Sequence, residues 1–93
     1  MSQIGVYFHS ESMNQQQYKD ILKRLEAAGA GSPKGRLYHS CFGEGDKLMV
    51  FDVWESQATF DAFGQTLMPI LSDVGVDPGT PDIMPMVNTI TGE

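Results

Sequence analysis

Residues 48–54 read Leu-Met-Val-Phe-Asp-Val-Trp, and apart from Asp52 they are apolar on both sides of an extended chain. A short run so rich in β-branched and aromatic residues is a strand. A strand apolar on both faces must be covered on both. It therefore belongs in the middle of a sheet whose first face carries helices and whose second face needs another layer. The economical source of that layer is the sheet of a second copy of the chain. The alternative is a central strand whose far face is covered by loops.

The rest of the chain supplies the other elements. Ile4, Val6 and Phe8 alternate with Gly5, Tyr7 and His9, the period of a strand. Ser12-Met13-Asn14-Gln15 is a capping pattern, with Ser12 as the predicted cap. Tyr18, Ile21, Leu22, Leu25 and Ala28 follow as one helical stripe, stopped by Gly29. Residues 36–42 and 47–54 make two strands joined across Gly43-Glu44-Gly45-Asp46. Ser56 caps a second helix with Phe60, Phe63, Leu67, Ile70, Leu71 and Val74 inward. Pro69 predicts a kink there, or two short helices. Residues 83–90 form the last strand, and Pro85 puts that strand at an edge because proline cannot donate to a ladder. The order is β-α-β-β-α-β, an α+β ferredoxin-like domain over residues 1–93 with an antiparallel four-stranded sheet. Right-handed crossovers place the first and third strands centrally.

Composition removes whole classes of function. A net charge of −6 with six Lys and Arg offers no basic patch for nucleic acid. A single cysteine, Cys41, permits no internal disulfide and fits a reducing compartment. Met1-Ser2-Gln3 carries no basic residue and precedes no apolar run long enough for a leader or a span, so a cytoplasmic protein with no membrane partner is expected. Two His and one Cys make a closed zinc site improbable, and His9 with Glu11 is too little for a metal, so none is assigned.

The hairpin carries the candidate chemistry. A symmetric turn at Glu44-Gly45 pairs Phe42 with Lys47, His39 with Val50 and Leu37 with Asp52. His39 and Asp52 then share a face with Cys41 and Trp54 as diagonal neighbours. A His whose tautomer is fixed by a carboxylate is a general base, and these two are the catalytic candidates. A one-residue bulge would separate them, and the plain alternative is a polar edge residue beside an Asp with another partner. Trp54 is a ligand-stacking candidate or a core anchor. Asn88 could orient a ligand carbonyl or face water. Tyr7 and Phe63 complete the ligand-binding candidates, while Tyr18 and Tyr38 read as core residues with a polar handle.

Leu25-Glu26-Ala27-Ala28-Gly29-Ala30, Gly35-Arg36-Leu37-Tyr38-His39, and above all Asp52-Val53-Trp54-Glu55-Ser56 with Phe60 and Phe63 resemble small bacterial proteins of the dimeric α+β barrel superfamily. That superfamily includes the antibiotic biosynthesis monooxygenase-like proteins. The resemblance implies a homodimer whose two sheets close into a barrel, with a pocket between helices and sheet in each subunit. Some members oxidise polycyclic aromatics without metal or cofactor, some degrade haem, and others isomerise or bind. Haem degraders carry Trp where this chain has Phe63 and a His later in that helix, and residues 64–74 hold no His. The leading expectation is a monooxygenase-like enzyme, without cofactor, for a small aromatic molecule. Its alternative is a dimer that binds a hydrophobic ligand without turnover, or is purely structural.

Overall fold

The structure, a computed structural model, describes residues 3–92. Met1 and Ser2, read above for the lack of a leader, lie outside the described residues, as does Glu93. The elements are β1 (Ile4–Phe8), α1 (Gln15–Ala27), β2 (Arg36–Phe42), β3 (Met49–Trp54), α2 (Gln57–Asp73) and β4 (Asp82–Pro85). They form one antiparallel sheet in the order β2-β3-β1-β4, with β1 and β3 central. This is the ferredoxin-like arrangement. Ile4, Val6 and Phe8 of β1 stand opposite Trp54, Asp52 and Val50 of β3, and this face meets the two helices. Ile21 and Leu25 of α1 and Phe63, Leu67 and Leu71 of α2 close the core over Val6 and Trp54.

Several local expectations are corrected. The cap of α1 is Asn14 rather than Ser12: its side-chain oxygen accepts from Gln17 N at 2.8 Å, and Gln17 Oε1 accepts from Asn14 N at 3.0 Å. Met13 cannot be helical, because its backbone bridges the hairpin loop, donating to Asp46 O at 2.8 Å and accepting from Leu48 N at 3.1 Å. That bridge also draws residues 43–48 into a longer loop, so Phe42 pairs with Met49, Cys41 with Val50 and His39 directly with Asp52. The register differs by two residues from a symmetric turn, which leaves these residues on the faces predicted for them. Pro69 lies within a continuous α2. Both Pro69 and Gln65, whose carbonyl it leaves without a helical donor, are exposed, so water can take that carbonyl.

β4 is shorter than expected. It pairs Ile4 with Pro85 at the sheet edge, Met86 N donates once more to Gln3 O at 2.9 Å, and the ladder ends. Val87 and Ile90, expected within the strand, are 99% and 86% exposed. The sheet's second face is apolar, as the third strand implied: Tyr38 and Phe42 are exposed beside Met49 and Phe51. Met86 crosses this face over Gly5, where an added Cβ would lie 2.9 Å from its Sδ.

Gly35 couples the sheet to α2. At φ +90 its Cβ would sit 2.6 Å from Thr59 Cβ, and its carbonyl accepts from Glu55 N at 2.8 Å just before the Ser56 cap. Gly29 has a similar φ of +79 but nothing within 4 Å. Gly35→Ala should therefore cost about 2–4 kcal/mol in denaturant unfolding, through positive φ and overlap together. Gly29→Ala should cost about 1 kcal/mol through φ alone. Equal costs would show that Thr59 yields.

Candidate functional site

A cavity of about 70 Å³ lies between the helices and the covered sheet face. Its walls are mostly aliphatic and aromatic: Ile21 and Leu25 from α1, Phe63, Leu67 and Leu71 from α2, and Phe8 and Val50 from the sheet. Leu22, 39% exposed, marks its open side, and Val76 and Pro78 close the far end from the loop after α2.

One polar chain enters this apolar space. Asp52, 3% exposed on the central strand, is the one buried charged residue among those described. Its Oδ1 lies 2.5 Å from His39 Nδ1 on the neighbouring strand. His39 Nε2 lies 2.7 Å from the Tyr18 hydroxyl, which the first turns of α1 deliver from the opposite wall. The two rings are nearly parallel, 12° apart, with centroids 6.1 Å apart. With the imidazole neutral, Asp52 accepts from Nδ1–H and Nε2 accepts from the tyrosine O–H. Burial, then Cys41 and Asp52, push the Tyr18 hydroxyl above its ordinary 10.0, with Arg36 acting the other way. Tyr18 thus stays protonated at neutral pH and can donate a hydrogen bond. The arrangement is a three-residue relay whose outer oxygen borders the cavity.

The sequence-predicted site residues divide between the two faces. His39 and Asp52 are together, closer than the diagonal placement expected of them. Phe63 lines the same cavity. Trp54 is fully buried behind it, its ring 5.1 Å from that of Phe63 and 5.7 Å from that of Phe60, so it anchors the wall. The Trp54 Nε1–H has no acceptor among the described residues. Cys41 shares the face beside Val50, and burial raises its thiol above the ordinary range. Tyr7 and Asn88 do not join this group. Both border a groove on the second face, where the Tyr7 hydroxyl donates to Met49 Sδ at 2.8 Å. His9 pairs with Asp82 at 3.1 Å at the sheet edge, and no cluster of three or more His, Cys, Asp and Glu occurs among the described residues.

Two residues were missed. Tyr18 read as core because its stripe is helical. Arg36 was given no face, and strict alternation would put it on the face opposite to that of His39, three residues away. A register shift between Arg36 and Tyr38 puts Arg36 opposite Trp54 and sends Leu37 outward, so Arg36 lines the cavity. A glycine followed by Arg at the start of an edge strand, where bulges concentrate, was the available signal.

The raised Tyr18 value fixes a pH dependence. The folded value exceeds the unfolded one, so this stability is full below 10.0 and is lost as pH rises through the folded value. Tyr18→Phe should flatten the alkaline limb of the stability curve, measured by urea unfolding at stepped pH. An unchanged limb would contradict the buried, donating phenol.

No family profile matches the chain, and no curated protein sequence matches it. Solved structures do. A protein of Chloroflexus aurantiacus assigned as an antibiotic biosynthesis monooxygenase superposes with a TM-score of 0.67 at 15% identity, over 97% of this chain and 98% of that one. A protein of unknown function from Nitrosomonas europaea gives 0.66 at 14% identity, over 100% and 97%. SnoaB, a cofactor-independent oxygenase of Streptomyces nogalater, gives 0.56 at 17% identity, over 98% and 97%. The chain shares its fold with these proteins.

Proposed function

We propose that the chain is a cofactor-independent oxygenase for a small, electron-rich aromatic hydroxyl compound. The observation that carries this reading is the Asp52–His39–Tyr18 relay ending at an apolar cavity. The likeness in fold to SnoaB supports it. A hydroquinone or phenol that loses its hydroxyl proton becomes a phenolate able to reduce dioxygen itself. The proton passes to His39 Nε2, directly or through the Tyr18 oxygen, and Asp52 stabilises the imidazolium. One electron from the phenolate gives superoxide and a phenoxyl radical. Their combination at a ring carbon bearing hydrogen gives a peroxide anion, the imidazolium returns its proton to make the hydroperoxide, and loss of water leaves a quinone. Substrate and O₂ thus balance against quinone and water, with the substrate as the only reductant.

Cavity size restricts the substrate. At about 70 Å³ it is smaller than the closed cavities of about 150 Å³ that admit benzene, but it opens at Leu22. One ring fits with part of its edge in the mouth, whereas fused rings would require the helices to part.

The second face supports the homodimer reading. Tyr38, Phe42, Met84 and Ile90 present exposed apolar surface on this face, and a second copy offers the same surface. Phe42→Glu, far from the cavity, should convert a dimer to monomer in sedimentation equilibrium; a wild-type monomer would overturn this.

Testing the relay requires variants that keep Asp52 paired. His39→Ala strands a buried carboxylate and should cost about 3–5 kcal/mol of stability. His39→Asn retains an N–H donor near the Nδ1 position but no basic nitrogen. It should stay folded and lose about 10²–10⁴-fold of the oxygen uptake seen with monocyclic hydroquinones, corrected for autoxidation. Binding of the hydroquinone with no uptake above background by the wild type would instead favour a non-catalytic ligand-binding protein.

A further inference from the structure

Every polar group on the cavity wall but one has its partner within the protein. Tyr18, His39 and Asp52 satisfy one another, and the Ser10 hydroxyl donates to Leu48 O at 3.4 Å. The exception is Arg36. Its guanidinium carbon lies 5.9 Å from the centre of the Phe63 ring, and its side chain makes no hydrogen bond or ion pair among the described residues. A guanidinium presents five N–H donors in a planar fork that matches a carboxylate. Held half-buried on an aromatic face, it is arranged to receive one.

We infer that the ligand is a monocyclic phenolic acid, its carboxylate on Arg36 and its hydroxyl at the Tyr18–His39 end. The spacing agrees. Arg36 stands opposite Trp54 and His39 opposite Asp52, two residues apart along β3. That separation is roughly 7 Å at the rise of a strand, about one benzene ring with para substituents. Overall charge gives no general attraction for an acid, since the chain carries −6. Any preference for the anion must therefore come from Arg36. This inference rests on the oxygenase reading for the role of the hydroxyl, but binding alone tests it.

The experiment is calorimetric titration of the wild-type protein with para-hydroxybenzoate and with its uncharged counterpart para-hydroxybenzamide. The acid should bind at least about tenfold more tightly, the gain of a charge-assisted bidentate contact. Arg36→Met should abolish that advantage by weakening the acid alone, and Arg36→Lys should keep only part of it. If Arg36→Met fails to fold, the wild type still decides the matter. Lowering the pH through the range where the ligand's carboxylate protonates should remove the acid's advantage and leave the amide's affinity as the reference. Equal affinities, tighter amide binding, or no binding of either overturns the inference. His39-dependent oxygen uptake with neutral hydroquinones would then leave the oxygenase reading standing by itself.

Discussion

The structure is organised around a buried carboxylate. Asp52 sits on the central strand, under both helices, where an unpaired charge would be costly. Its partner must come from β2, and only one register brings His39 opposite it. A slip of one residue would turn His39 to the other face and leave Asp52 bare. The pair thus selects the strand alignment as well as the chemistry. Tyr18 extends the selection to α1, because the imidazole nitrogen that Asp52 leaves free is the one the tyrosine hydroxyl fills. Polarisation along such a chain strengthens each bond in it.

The two faces of the sheet solve different problems. The covered face combines a dense aromatic wall, Trp54 with Phe60 and Phe63, with a cavity that the helices do not fill. Among the described residues, the segment 86–92 borders the other face, with Met86 laid over Gly5. With candidate chemistry on one side and apolar surface on the other, association and ligand binding would not compete for the same residues.

Most of the fold was legible because the strands alternate and the helices carry clear stripes. The two-sided apolarity of residues 48–54 placed β3 centrally, and Pro85 placed β4 at an edge. What escaped depended on contacts distant in sequence. The Met13 bridge to the hairpin loop moved both the cap of α1 and the register of β2, and no local pattern announces such a bridge. Of the two readings of Pro69, a kink or two short helices, the split does not occur, and the neighbour's exposure that allows this is not written in the residues around it. Within the site, His39 and Asp52 were readable from the hairpin because a two-residue difference in register preserves faces. Arg36 was not, because a bulge does not.

That bulge sits on an edge strand, with no ladder on its outer side to hold it. If Leu37 were drawn into regular pairing, it would stand opposite Trp54, and Arg36 would rotate to the far face. Pairing from Tyr38 onward, including His39 with Asp52, would be untouched. The wall of the cavity would change from cationic to aliphatic with the Asp52–His39–Tyr18 hydrogen-bonded chain intact. The site's polarity therefore depends on one local backbone irregularity, pinned by Gly35 against Thr59, rather than on the sheet as a whole.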